Sequence, residues 1–335
     1  MLFYAVIIIS IIMYTVLDGF DLGVGMLHIF TKKDIDRRIF LNAIGPVWDG
    51  NEVWLVIIVG GTFAGFPTVY ASILSSFYMF SVLLLAGLMF RAAAIEFRSK
   101  KPEVHWRKSW DLIFSLASYL VAFLIGLGLG NFIEGVPLDS NHEFMGEFFQ
   151  FFKPYPIMIG LLAISLFMMH GAIYLAMKTE GDLHICVKRW VKNAFYFFLI
   201  TYIGTSIFTF SEQSYMIERF YDHPMLLIIP GLLILSLINL FYRFHNGNDW
   251  LAFLSSCASI MLLMVLYAIG TFPYLVISSL DSDANSLTIY NSSSSKYTLG
   301  VLMTIVAIGM PLVLAYGYWV YRIFRGKVHI DETSY

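Results

Sequence analysis

GPVWDGNEVWL, residues Gly45 to Leu55, joins a charged connection to an apolar run of membrane-spanning length. Asp49 and Glu52 stand three residues apart at the mouth of that run, which continues from Val53. An ionisable side chain within a span costs about 2.5–3.5 kcal/mol on insertion scales, so it needs a partner, water or a proton. Two neighbouring runs carry comparable pairs, Asp18 with Asp21 and Arg91 with Glu96. These three pairs are expected to meet and to serve proton movement.

The composition around this stretch sets the fold class. Of 335 residues, 59% are hydrophobic and 13% charged, and the mean hydropathy is +0.74. A soluble domain carries about 25% charged residues. The sequence therefore predicts an all-α polytopic membrane protein, one integral-membrane domain over 1–335 with a polar tail near 325–335. The formal net charge of -2 identifies no partner. No basic stripe with interleaved aromatics is present, which argues against nucleic-acid binding. Cys186 lies in a basic loop and Cys257 in an apolar run, so a disulfide between them is not expected, and no Cys/His metal spacing occurs. The stretch from Leu2 to Leu17 lacks a basic leader and a small-residue cleavage site, and is read as a mature first span.

Spanning runs are expected near 2–27, 52–72, 74–97, 111–133, 155–177, 190–210, 224–243, 250–279 and 297–324. Alternate connections carry Lys32, Lys33, Arg37 and Arg38, then Arg98, Lys100, Lys101, Arg107 and Lys108, then Lys178, Lys188, Arg189 and Lys192, then Arg243. The C-terminus adds Arg322, Arg325 and Lys327, whereas the other face holds Lys153, Arg219 and Lys296. By the positive-inside rule the N-terminus is outside and the C-terminus cytoplasmic. The aromatics from Phe148 to Phe152, at the edge of an outer segment, read as interfacial anchors.

Depth along each span follows from a rise of about 1.5 Å per residue. Asp18 and Asp21 fall in the cytoplasmic half of the first helix, Asp49 and Glu52 at the inner end of the second, Arg91 and Glu96 near the inner end of the third. Asp18 shares a helix face with Asp21, as Asp49 does with Glu52. Arg91 and Glu96, five apart, are separated by about 140° around the helix and make a poor intrahelical pair. Arg91 is expected to face a carboxylate on another span, Asp49 first. Five acids against one guanidinium favour a carboxyl that loads and releases a proton near neutrality.

A structural reading stands beside this one. The run from Asp18 to Gly25 is rich in small residues suited to close helix packing, and its carboxylates have backbone and Trp donors within reach. Trp48 and Trp54 read as packing or interfacial residues ahead of electron carriers. His170 is a lone intramembrane histidine, read as packed or hydrogen-bonded because no paired His or Met spacing offers a second axial haem ligand. The other histidines fall in connections or at ends, and the methionines are scattered apolar filling.

At this point the chain resembles subunit II of the cytochrome bd quinol oxidases. The matching stretches are LDGFDLGVGML (Leu17 to Leu27), GPVWDGNEVWL, FRAAAIEFRSK (Phe90 to Lys100) and WRKSWD (Trp106 to Asp111). GNFIEGVP (Gly130 to Pro137), SSSSKYTL (Ser292 to Leu299) and YRIFRGKV (Tyr321 to Val328) extend the likeness to the last span. The resemblance implies two four-helix bundles plus a peripheral helix, in a bacterial cytoplasmic membrane. It implies a partner, subunit I, that holds haems b and d and the quinol site, with quinol and O2 as substrates of the complex. This chain is then expected to ligate no cofactor or metal and not to be catalytic alone. By motif match, Asp49 and Glu96 line a cytoplasmic proton route with Arg91 as the neighbouring base, and the DGFD acids map to Asp18 and Asp21. From their place in the chain, Glu52, Asp18, Asp21 and Trp48 are expected to join that route. Some members carry Asp where this chain has Glu96. A bound quinone and a small accessory subunit are left open by the resemblance. Two rival readings are a proton-coupled secondary transporter, which would want broken midplane helices and an inverted repeat, and a purely structural assembly subunit.

Overall fold

The computed structural model describes residues 1–330 and is helical almost throughout. Its helices are α1 (Leu2–His28), α2 (Asp34–Ile44), α3 (Trp48–Gly65), α4 (Pro67–Ser76), α5 (Tyr78–Phe97), α6 (Val104–Glu134) and α7 (Pro154–Lys178). They continue as α8 (Gly181–Glu212), α9 (Tyr215–Asp222), α10 (Ile228–His245), α11 (Asp249–Thr271), α12 (Ser282–Asn285) and α13 (Lys296–Ile323). Two short strands, β1 (Tyr274–Val276) and β2 (Leu287–Thr288), pair antiparallel between α11 and α13. Among the described residues, eight helices are long and apolar enough to cross a membrane, and the pair α3–α4 makes a ninth if taken as one span. The chain is thus a multi-pass membrane protein.

That pair departs from the single span expected over 52–72. Its axes bend by 119° where α3 gives way to Pro67. Proline disfavours the helical conformation for the residue before it, and its fixed φ suits the first turn of a new helix, so the chain turns at Phe66. The eighth expected run, 250–279, ends as a helix at Thr271, and the remainder forms the strand and loop that precede α12.

α1 occupies the middle, packing along α3, α6, α7 and α11. Lipid is as apolar as a leucine side chain, so close packing rather than water exclusion holds such helices together. Gly23 shows what this demands: a Cβ there would lie 2.0 Å from the Phe167 carbonyl oxygen and 2.8 Å from the Gly171 Cα. Gly25 does the same toward α6, with the Ser118 hydroxyl 2.0 Å from where its Cβ would stand. The small-residue run therefore does pack closely, and it also carries the acids.

Two apolar cores result. One surrounds the lower half of α1 with Phe20, Leu22 and Met26 against α7 residues such as Ala172 and Leu175. The other lies at the opposite end, where Phe3, Phe66 and Phe77 meet Val136, Leu138 and Val276. There the 134–154 connection folds onto the β1–β2 segment, with Ser278 Oγ donating to the Leu138 carbonyl at 2.9 Å and Asn285 Nδ2 to the same oxygen at 3.0 Å. Of the aromatics read as interfacial anchors, Phe149 is exposed, but Phe151 is buried with its ring 4.5 Å from Phe77 and 5.1 Å from Phe80. Phe151 is a core residue because the outer connection is folded rather than spread on the lipid.

α13 is the outlier. None of its residues is buried. It is tethered at its C-terminal end, where Lys178 Nζ donates to the Phe324 carbonyl at 2.6 Å, Lys327 Nζ to the Ala176 carbonyl at 3.0 Å, and the Val328 amide to the Lys178 carbonyl at 2.9 Å. The polar tail is described as far as Ile330, and the rest of the expected tail lies outside the described residues.

Candidate functional site

Tyr14, Asp18, Asp21, Gly25 and His28 follow one another at alternating steps of four and three, so α1 presents them as a single stripe. Asp18 and Asp21 are fully buried. Arg91, on α5 and equally buried, lies across from them. Its Nη1 donates to Asp18 Oδ2 at 3.0 Å and its Nη2 to Asp18 Oδ1 at 2.5 Å, a two-pronged grip. The same Nη2 also donates to Glu52 Oε1 from the first turns of α3. A guanidinium has five donors in one plane, which is what allows it to serve two carboxylates from different helices.

Asp21 completes the group from the same face of α1. Asn51 Nδ2 donates to Asp21 Oδ2 at 2.7 Å and to the Leu17 carbonyl at 3.3 Å. Asn51 Oδ1 accepts from the Tyr321 hydroxyl of α13 at 2.8 Å. Asp21 Oδ1 and Arg91 Nε are buried with no hydrogen-bond partner among the described residues. Three carboxyl groups thus lie about one guanidinium, two of them bonded to it.

The structure corrects the expected pairing of Arg91 with Asp49. Asp49 sits in the first turn of α3 and is exposed, while Glu52, nearly one turn further in, takes the guanidinium together with Asp18. Trp48 and Glu96 are half-buried. The expectation that Arg91 faces a carboxylate on another span agrees with its bonds to Asp18 of α1 and Glu52 of α3.

A second charged cluster lies at the basic end of the bundle, and sequence reasoning missed it. Asp111, in the first turns of α6, meets His28 Nε2 at 2.6 Å, Arg37 Nη1 at 2.6 Å and Arg98 Nε at 2.6 Å. Arg98 Nη2 also donates to Asp34 Oδ1 at 2.6 Å, and Arg107 Nη1 to Asp34 Oδ2 at 3.0 Å. His28 and Arg98 are fully buried. In the sequence, Arg37, Arg98 and Arg107 are topological charges and His28 ends a span. The available signal was Asp111 itself, an acid closing WRKSWD at the mouth of an apolar run.

His170 has both ring nitrogens engaged, Nδ1 with Ser256 Oγ at 2.7 Å and Nε2 with the Val16 carbonyl at 2.9 Å. Its ring stacks on Phe253 at 5.0 Å. A haem iron would need one of those nitrogens, so His170 does not fit a haem ligand. Among the described residues, no group of three or more His, Cys, Asp or Glu is arranged to hold a metal ion. Cys186 and Cys257 are both free.

Buried acids gripped by one guanidinium, on packed spanning helices, define a polytopic membrane protein built to hold charge inside the bilayer. Over residues 1–324 the chain matches the family described as cytochrome bd terminal oxidase subunit II. It is 30% identical to the Escherichia coli (strain K12) protein named cytochrome bd-I ubiquinol oxidase subunit 2, with 97% of this chain and 94% of that one covered. It is also 30% identical to the Bacillus subtilis (strain 168) cytochrome bd ubiquinol oxidase subunit 2, covering 100% of this chain and 98% of the relative. Its fold resembles a chain in the structure of bd oxidase from Geobacillus thermodenitrificans, with a TM-score of 0.76 at 14% identity, covering 96% of this chain and 97% of that one. The chain belongs to the cytochrome bd terminal oxidase subunit II family. It is therefore a membrane-spanning subunit of a cytochrome bd terminal oxidase.

Proposed function

We propose that this chain is the haem-free scaffold of the oxidase and part of its cytoplasmic proton route. The complex oxidises two quinols to two quinones and reduces one O2 to two waters. The haem-bearing partner, subunit I, carries the electron transfer, with haems b and d in that partner. This chain's residues hold and move protons. The observation that carries the reading is the Arg91 grip on Asp18 and Glu52 beside Asp21, four ionisable groups from three helices gathered toward the basic end.

The roles divide by depth. Asp49, exposed at the start of α3, takes protons from the cytoplasm, with Trp48 beside it. Glu52 is half-buried and links that surface to the interior. Asp18 and Asp21 receive the proton within the bundle, and Arg91 sets the charge they feel. Glu96 lines the same route from α5. The basic end, with Arg37, Arg98 and Arg107, then faces the cytoplasm. An apolar cavity of about 310 Å³ between α6, α7, α8 and α11 offers room for the bound quinone that the family resemblance leaves open.

A transporter reading finds less support. The one broken span bends at Phe66, about 20 Å along α3 from Glu52, so the break does not expose the acids. The test is turnover in the purified complex carrying Asp49→Asn or Glu52→Gln. The proton-route reading expects oxidase activity to fall at least tenfold with haem content intact. Normal turnover would remove those residues from the route, and loss of the haem-bearing partner would make the role structural.

A further inference from the structure

α13 has no buried residue, yet one of its side chains reaches a polar group enclosed within the bundle. Tyr321 donates its hydroxyl to Asn51 Oδ1 at 2.8 Å, and Asn51 Nδ2 donates to Asp21 Oδ2 at 2.7 Å. The orientation of the amide is fixed from both sides. The Leu17 carbonyl, 3.3 Å from Nδ2, can only accept, so the NH2 group must face α1. The Tyr321 hydroxyl faces the other end, where the amide oxygen needs a donor. Asn51 is itself buried, so neither of its ends has bulk water as a substitute.

We infer that Tyr321 is a positioning residue for Asp21: through Asn51 it couples the seating of the peripheral helix to the proton state of the buried acid. The inference rests on the proton-handling reading for its consequence but not for its geometry. With Tyr321 in place, Asn51 offers Asp21 a donor, which favours the carboxylate. Without the hydroxyl, the buried amide oxygen loses its donor. The amide is then no longer held with its NH2 toward α1: it can turn over and accept from a protonated Asp21, giving up the Nδ2 bonds to Asp21 and Leu17, so the carboxylate loses the preference that the fixed donor gave it. The carboxyl group of Asp21 also feels Asp18 on α1, Glu52 on α3, Arg91 on α5 and Tyr174 on α7. Tyr321 itself also faces Asp21 and Tyr174 from α13, and none of the other groups is substituted when Tyr321 is altered.

The position of Tyr321 makes the coupling sensitive to assembly. α13 is held at its C-terminal end by the Lys178 and Lys327 bonds and just before its start by the Ser294 bonds to Gly65 and Ala64 of α3, and between these ties no residue of it is buried. Any tilt or rotation of α13 therefore reaches Asp21 through two hydrogen bonds.

The experiment uses the intact two-subunit complex carrying Tyr321→Phe, with Tyr316→Phe on the same exposed helix as control. Infrared spectra taken across a pH series in H2O and D2O report the protonated-carboxyl stretch, and Asp21→Asn in each background assigns the part that belongs to Asp21. The expected result is that Tyr321→Phe moves the Asp21 midpoint upward by on the order of one pH unit, about a tenfold change in its proton equilibrium, while Tyr316→Phe leaves it in place. Asn51→Leu, which removes both links, should move it in the same direction. An Asp21 band that does not change in Tyr321→Phe and Asn51→Leu overturns the inference. So does loss of the complex in Tyr321→Phe but not in Tyr316→Phe, which would make the hydroxyl a structural tether. The infrared band reads Asp21 directly, so failure of the proton-route reading, seen as normal turnover in the Glu52→Gln complex, remains a separate outcome.

Discussion

Replacing Arg91 with methionine is the sharpest single perturbation of the buried cluster. It leaves Asp18 without both of its guanidinium bonds, at 3.0 and 2.5 Å, and Glu52 without the Nη2 they share. Removing one partner of a buried ion pair costs about 3–5 kcal/mol, because the remaining charge is stranded. Asp18→Asn is milder, about 1.5–3 kcal/mol, since Arg91 keeps Glu52. Simple addition would make the double variant the worst of the three. The geometry argues otherwise: with the guanidinium already gone, Asp18→Asn takes away a stranded charge, and the two changes should offset each other by more than the Asp18→Asn cost, about 3 kcal/mol. Thermal melts of the detergent-solubilised complex, followed by the amount of intact assembly, give the ranking. The expected order of stability is wild type, Asp18→Asn, the double variant, then Arg91→Met. A double variant that melts below Arg91→Met would refute the pairing as the source of the effect.

Other outcomes follow from contacts elsewhere. Gly23→Ala forces its Cβ to within 2.0 Å of the Phe167 carbonyl and should abolish assembly, whereas Gly60→Ala meets nothing within 4 Å and should assemble normally; the yield of complex in membranes distinguishes them. Asp111→Asn removes the charge shared by the buried Arg98 and His28 and one of its two accepting oxygens, and should cost about 3–5 kcal/mol, read as a lowered melting temperature without change in haem spectrum per surviving complex. His170→Asn, which disturbs the Ser256 and Val16 bonds, should leave haem stoichiometry per complex unchanged; a lost haem would reassign that histidine.

Much of this arrangement was legible in the sequence, and the gaps have physical causes. Apolar length located the spans, since a run such as Pro154–Lys178 has no other stable solution in lipid. It did not locate the bend at Pro67, because proline in a spanning run is compatible with either a kink or a break, and the burial of Phe66 and Val69 in the second core goes with the break. The depth argument brought Asp18, Glu52 and Arg91 together correctly but chose Asp49 as the partner. Depth alone does not resolve one helical turn, and the rotation of α3 turns Asp49 outward. α2 was invisible as a helix because it lies in a charged connection, too short and polar to register as a span. The His28–Asp111 pair joins residues 83 positions apart, a contact that single-sequence periodicity does not encode. Tyr321 belongs to a tail motif that resembled the family, but its link to Asn51 depends on how α13 is seated.

The central claim is that protons used in O2 reduction cross this chain through the Asp18–Glu52–Arg91 group. The most direct measurement is proton uptake, followed with a pH-indicator dye, when the fully reduced complex carrying Glu52→Gln meets O2 in a single turnover. At haem occupancy equal to wild type, uptake should slow by at least tenfold. Uptake at the wild-type rate would contradict the account.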